Sequence, residues 1–446
     1  MEFYNVIQSL IDFKKRDLAI EVVKVFEQNS SNYDQFDKLA EICFNIKEYD
    51  LGIQIAGKAL QVSETTDMIT AARTNLINLY SNSNQHDKAL DLISVNELAL
   101  PNDYNTLSAK VFSLYMINKK QEAEDVLRIL LNFPNITQSQ QSKLLFNLGT
   151  YELIKDNLLY GLELFLLEGK NIGVWKNPPL PGEQWIGQPL NGRTIFIISE
   201  AGIGDEIINV RFIKHLKEQG AIPLLYTTRS DLEKIFKRNG INTTSNLRDY
   251  SPDMLWCYSM TLPLYLKCNY NNLWYGSYLN PDQDMVKKYQ FFKELPGKKI
   301  GLRWQGFAGY EQDLNRTLPL DELMNILPDH NTYISLQKEE GLDQLFNFPS
   351  IIDSSSHLSS YEDTLGIIEN LDYVITSCTS VAHASAAMGK KTLILVPIAS
   401  YYTWCHSTKQ SPWYGDNVVL FRQKNFKSWK EPIEELKEYL IANDLI

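Results

Sequence analysis

Thr194-Ile195-Phe196-Ile197-Ile198, followed by Glu200-Ala201-Gly202-Ile203-Gly204-Asp205 and then by Glu206-Ile207-Ile208-Asn209-Val210-Arg211-Phe212-Ile213, decides the fold of this chain. The apolar run reads as a strand, the two glycines as a turn, and the following segment as a helix. Glycine lets a backbone take positive φ and come close to a ligand. The free N–H groups that open a helix suit an anion or a polar ligand. Asp205 follows the second glycine at once, and a carboxylate aimed at a bound phosphate would repel it. It therefore reads as a base or a hydroxyl-binding group. The plain alternative is a first-turn acid that stabilises its own helix.

Downstream, short apolar runs alternate with amphipathic segments. Ile222–Tyr226, Lys299–Trp304, Thr332–Leu336, Tyr373–Thr376 and Thr392–Val396 read as strands, with helices between them such as Asp231–Arg238. That alternation predicts doubly wound parallel sheets. The span from 191 to 446 is long for one sheet, and Pro296-Gly297 is the natural boundary between two. Two facing Rossmann-like domains bind ligands in the cleft at the carboxyl ends of their strands.

Upstream, residues 1–170 read as wholly helical. Small residues recur at Ala19, Gly52, Ala89, Ala123 and Gly161, with spacings of 33, 37, 34 and 38. Apolar stripes such as Leu76-Ile77-Leu79-Tyr80 precede polar turns such as Asn82-Ser83-Asn84. The period resembles about five degenerate tetratricopeptide repeats, and a plain helical bundle is the alternative. Asn177-Pro178-Pro179-Leu180-Pro181-Gly182 ends the helical periodicity and reads as a linker. The predicted organisation is α plus α/β: repeats at 1–170, a linker at 171–190, one Rossmann-like domain at 191–296 and a second at 297–446.

The 446 residues predict two to four domains. A formal net charge of −11 argues against a nucleic-acid partner. Five cysteines without a CxxC predict free thiols in a reducing compartment and no zinc site. Without a signal-like N-terminus or a run long enough to span a bilayer, the expectation is a cytoplasmic protein with no membrane span.

Two further clusters carry chemistry. In Tyr373–His383, a strand meets a small polar turn and a helix start, with Thr379 and Ser380 placed to cap the helix and offer hydroxyls. The N–H groups there form an anion site without an opposing carboxylate. His383 stands one turn in, either within reach of a phosphate oxygen or packed as a core histidine. Gly301-Leu302-Arg303-Trp304-Gln305-Gly306 leads to Asn315-Arg316-Thr317, where Arg316 either clamps a diphosphate or pairs with Asp313 or Asp321. Ser335-Leu336-Gln337-Lys338 places amide and ammonium groups at the same rim.

Together these motifs resemble the ADP-heptose:lipopolysaccharide heptosyltransferase superfamily, joined to tetratricopeptide repeats as in bacterial or phage glycosyltransferase-like proteins. Ser411-Pro412-Trp413-Tyr414 adds to the likeness. The resemblance implies the GT-B architecture and a metal-independent, inverting transfer, hexosyl- or heptosyl-type, from a nucleotide-diphosphate sugar as co-substrate, with no cofactor. It implies Asp205 as general base. It places Gly202, Gly204, Arg316, Gln337, Thr379, Ser380 and His383 in the donor site. Cys378 stands where the family usually has Asp, which puts an ADP-heptose donor in doubt and leaves a second reading open: an inactive transferase-like scaffold that binds a partner protein. The repeats suggest a protein or glycan acceptor in their groove and also allow a homodimer. A dinucleotide-dependent oxidoreductase fits less well, because the first turn lacks the third glycine of that fingerprint.

Overall fold

A computed structural model describes every residue except 1, 14, 175–178, 274, 275 and 311, and the side chains of all described residues except 2 and 3. Asn177 and Pro178 of the expected linker lie outside the described residues. The chain divides into two compact units, 1–136 and 137–446.

The first unit is helical: α1 Glu2–Asp12, α2 Arg16–Asn29, α3 Tyr33–Asn45, α4 Tyr49–Gln61, α5 Thr66–Asn82, α6 His86–Ala99, α7 Tyr104–Met116 and α8 Lys120–Leu131. Consecutive helices pair, and the predicted small residues sit near the start of each second helix. Ala19, Ala89 and Ala123 are wholly buried, and a Cβ on Gly52 would stand 2.6 Å from Leu79 Cδ2. Each described turn inside a pair carries one left-handed residue five places earlier: Lys47, Asn84 and Asn118, at φ of 61°, 61° and 66°. The next amide then reaches back to the first helix, as in Gln85 N–H to Tyr80 O at 2.8 Å. One backbone device, repeated, produces the period.

The second unit begins with a further pair, α9 Gln138–Ile154 and α10 Leu158–Glu163, which continues through a π-helical turn at Leu164–Glu168 into α11 Gly169–Asn171. Asp156 is left-handed and Gly161 small, in the same frame. Leu153, Leu162, Phe165 and Leu166 share one core with Trp185, Ile195, Tyr402 and Trp413, so this pair packs as part of the α/β unit.

Two parallel sheets follow. The first contains β1 Thr194–Ile198, β2 Ile222–Tyr226, β3 Thr243–Thr244 and β4 Leu255–Tyr258 in the order β3-β2-β1-β4. Its helices are α12 Ile203–Asn209, α13 Phe212–Glu218, α14 Ser230–Arg238 and α15 Leu262–Tyr265. The short α16 Gln283–Lys288 precedes the second sheet. That sheet is built from β5 Lys299–Arg303, β6 Thr332–Ser335, β7 Ile351–Asp353, β8 Tyr373–Ser377, β9 Lys391–Val396, β10 Gln410–Ser411 and β11 Gly415–Arg422. Its order is β10-β11-β9-β8-β5-β6-β7, with β10 antiparallel. Its helices are α17 Asp313–Arg316, α18 Leu320–Met324, α19 Tyr361–Glu369, α20 Ser380–Ala387 and α21 Lys430–Ala442. The α plus α/β class with two Rossmann-like sheets is therefore the observed one. Central β8 is buried along its whole length, as a strand covered on both faces must be.

Arg211 ties the halves of this unit together. It is 1% exposed and donates to Ile208 O at 2.8 Å, Leu273 O at 3.1 Å and Tyr278 Oη at 3.0 Å, and also to Trp413 O. Its guanidinium lies over the Tyr414 ring, 4.4 Å from the centroid. Lys288 and Tyr289, which precede Pro296-Gly297, bind Asp363 of α19 at 2.8 and 2.7 Å. No helix among the described residues is long and apolar enough to cross a membrane.

A Cβ added at Gly161 would meet Leu153 N at 2.9 Å and Gly149 O at 3.0 Å, both backbone, whereas one at Gly57 meets nothing within 4 Å. Gly161→Ala should therefore destabilise by about 1–3 kcal/mol through overpacking. Gly57→Ala should stabilise its helix by about 0.5–1 kcal/mol. Urea unfolding of the two variants checks the contrast; equal effects would contradict the close-packing assignment.

Candidate functional site

In both sheets the chain reverses direction beside the first strand: β1 lies between β2 and β4, and β5 between β6 and β8. Such switch points open a crevice at the carboxyl ends of parallel strands. A cavity of 780 Å³ lies there, lined from the first half by Gly202, Gly204, Asp205 and Arg229, and from the second by Arg303, Arg316, Thr379, Ser380, His383 and Tyr401, among others. Its size suits a ligand as large as a nucleotide.

The first turn works differently from its sequence reading. The left-handed residue is Ala201, at φ 58°, while Gly202 is extended, at φ −90° and ψ 174°. Gly202 is the N-cap of α12, and its N–H donates to Asp205 Oδ2 at 2.9 Å. Gly204 is needed for packing: a Cβ there would stand 2.6 Å from His383 Cδ2 on α20. The two glycines thus serve a cap and a helix crossing rather than positive φ.

Asp205 has a structural contact and a place at the cavity. It closes the first turn of α12, and it faces the cavity half-buried. Burial pushes its carboxyl up to about 6, against the opposing pull of the Gly202 amide, the Tyr401 hydroxyl and the Arg229 charge. Arg229 is itself anchored: it pairs with the buried Glu206 and donates to Ala201 O at 2.8 Å, while Thr227 Oγ1 donates to Glu206 at 2.7 Å. Behind the turn, the buried Glu200 is pushed up to about 8, chiefly by desolvation and in part by Asp205.

The second half departs further from expectation. Gln337 lies outside the cavity lining and is wholly buried. Its Oε1 accepts from Trp304 N at 3.2 Å and Gln305 N at 3.1 Å, and its Nε2 donates to Gln305 O at 3.0 Å and Glu340 O at 2.6 Å. A side chain so engaged holds the β5 loop and is not a donor-site group. His383 is a core histidine: it is 6% exposed, its Nδ1 lies 2.8 Å from Tyr414 Oη, and its ring rests on Trp404 at 4.7 Å. Burial, with Arg211 nearby, drives its pKa down to about 3, so it meets the cavity neutral.

Arg316 is also committed. Nε pairs with the buried Asp313 at 2.8 Å, Nη1 donates to Cys378 O at 2.8 Å, and the guanidinium lies 4.6 Å from the Tyr310 ring centroid. A Cβ on Gly306 would stand 2.0 Å from Arg316 Nη2. The pairing with Asp313, one of its two sequence readings, is present, and the same side chain touches Phe307 O and Tyr310 as well as the Cys378 turn. Thr379 is the N-cap of α20, but its hydroxyl lies 3.3 Å from Thr376 Oγ1 and makes no cap bond; Ser380 is half-buried at the cavity. The Cys378 thiol, raised to about 12 by burial, is neutral and supplies no substitute for a carboxylate.

Arg303 escaped the sequence reading as a site residue. It ends β5, lines the cavity, and donates Nε to Gln305 O at 2.9 Å and Nη1 to Leu336 O at 2.8 Å. An arginine directly after the apolar Ile300-Gly301-Leu302 of a central strand was the available signal. Tyr401 had none, since its approach to Asp205 comes from a loop almost two hundred positions away.

No family model matches the chain, and no curated protein matches it in sequence. Among solved structures, it is similar to a family 9 glycosyl transferase from Veillonella parvula DSM 2008, with 10% identity, 58% of this chain and 90% of that chain covered, and a TM-score of 0.41. E. coli heptosyltransferase WaaC with ADP is similar at 8% identity over 56% of this chain and 99% of that one, with a TM-score of 0.37. A Thermobaculum terrenum O-GlcNAc transferase mutant is similar at 12% identity over 93% and 94% of the two chains, with a TM-score of 0.33.

Removing Arg316 leaves Asp313 buried without its cation, and breaking a buried pair costs about 3–5 kcal/mol. Arg316→Met should lower the urea midpoint accordingly. An unchanged midpoint would return Arg316 to a purely ligand-binding role.

Proposed function

We propose that this protein is a glycosyltransferase that moves a sugar from a nucleotide-diphosphate donor to a hydroxyl acceptor with inversion. The observation that carries this reading is a single nucleotide-sized cavity with a raised carboxylate on one wall and a helix start on the other. Asp205 takes the proton of the attacking hydroxyl. Its pKa near 6 suits that task, because a general base works best when its pKa lies near the working pH. As the bond to the leaving diphosphate breaks, negative charge grows on the opposite side. In the first turn of α20, Ala382 N–H bonds Thr379 O at 3.1 Å, which leaves the N–H groups of Ser380 and Val381 to stabilise that charge without reorganising. Half-buried Ser380 adds a hydroxyl at the same place.

A protein acceptor is supported by a second, smaller cleft of 260 Å³ among the repeats, lined by Asn78, Ser81, Asn82, Asn105 and Ser108. Asn78, Asn105 and Ser108 bring amide and hydroxyl groups to it that suit the N–H and C=O groups of a peptide. The neutral His383, the committed Arg316 and the neutral Cys378 favour a second reading, a transferase-like scaffold without turnover. Incubation with labelled UDP-, GDP-, ADP- and CMP-sugars separates the two: transfer or donor hydrolysis supports the enzyme, and neither supports the scaffold.

For the enzyme, Asp205→Asn should lower kcat/KM by about 10²–10⁴ with donor binding retained. Below its pKa Asp205 is protonated and cannot accept a proton, so wild-type kcat/KM should rise with pH through about 6. The asparagine variant should lose that limb. Full activity in the variant would remove Asp205 from the chemistry.

A further inference from the structure

We infer that Arg303 is the cation that binds the donor's diphosphate, in place of Arg316. This deepens the donor reading above and rests on it. The chain brings two guanidinium groups from the second half to the cavity, and their surroundings divide the work between them.

Arg316 is neutralised. Its Nε is ion-paired with a carboxylate that is 3% exposed, its Nη1 serves a backbone carbonyl, and Tyr310 covers its plane. Arg303 makes hydrogen bonds to two carbonyl oxygens and forms no ion pair among the described residues. Carbonyls orient a guanidinium without cancelling its charge. Asp313 and Glu340 attract it from farther away, and Arg316 repels it. Those two bonds use Nε and one hydrogen of Nη1. The remaining N–H groups sit on Nη1 and Nη2, in the fork geometry that fits phosphate oxygens.

Strand register places this charge beside the helix start. Arg303 pairs with Thr376 across β5 and β8, and the turn to α20 begins directly after β8. On the other flank, Leu302 pairs with Ser335 and Arg303 reaches Leu336 O. Arg303 therefore occupies the switch point of the second sheet, where an anion held by Ser380 and the α20 amides would also meet a guanidinium. Partial burial withholds water from the Arg303 charge, and a less hydrated cation binds a phosphate more strongly.

Calorimetric titration of the full chain tests this, with UDP, ADP, GDP and inorganic pyrophosphate as probes and the bare nucleosides as controls. Arg303→Gln should weaken the best diphosphate, and pyrophosphate, by about tenfold to a hundredfold, and leave nucleoside binding unchanged. Arg303→Lys keeps the charge but loses the fork, and should fall between. It also decides the case should the glutamine variant not fold. Wild-type affinity for diphosphate in both variants would overturn the Arg303 assignment while leaving the donor reading intact. A wild-type chain that binds none of the four probes would overturn both.

Discussion

The crossing of α12 and α20 is the contact on which the cavity depends. Gly204 lies against the His383 ring so closely that a single methyl carbon would fall 2.6 Å from it. Because each helix starts at the carboxyl end of a strand, bringing them together at their first turns sets both helix starts on the same opening. The histidine is braced from behind by Trp404 and Tyr414, and Tyr414 in turn lies under the Arg211 guanidinium. A buried arginine from the first half, bonded to Trp413 O of the second, thus supports the ring against which the turn before α12 rests. Residues that resemble ligand contacts on paper are here the frame of the site.

Charge is distributed by the same economy. Each half contributes a cation tied to a buried acid, Arg229 to Glu206 and Arg316 to Asp313. These pairs fix loop geometry and add little net potential to the cavity. What lines the cavity besides these pairs includes Asp205, its carboxyl raised by desolvation, together with Arg303 and Ser380 at the start of α20. Asp205 thus shares the cavity with Arg303, while its own glycine loop caps a helix.

The legible part of this architecture was the part written in local pattern. β1 and β2 run over the residues expected, 194–198 and 222–226, because each is a continuous apolar run, β1 buried from its second residue and β2 buried only at alternate positions. The repeat period was legible because close helix pairing needs a small side chain at one fixed place. Strands β3 and β7 escaped, being two and three residues long, too short to show a period. β4 was missed although it is wholly buried, since Leu255-Trp256-Cys257-Tyr258 is too brief a run to separate from helix or loop. In the site, spacing identified the two turns but not the duties of their side chains. Gln337 turns out to be wholly enclosed by protein, while His383 and Arg316 reach the cavity with bonds to protein already made, because burial and partners are long-range properties.

The sequence by itself determined the alternation of strand and helix, the helical repeats before it, and the pair of turns that start α12 and α20. These follow from periodicity, glycine placement and capping chemistry within a few residues. Tertiary structure decided which charges are free. Asp313 lies three residues from Arg316 and Asp321 five, and only packing shows that the first is buried beside it. Arg303 is the last residue of β5, and only the register against β6 and β8 puts it at the switch point. The electrostatics of a cavity depend on what is desolvated and what is paired across it, and neither is a property of neighbours in the chain.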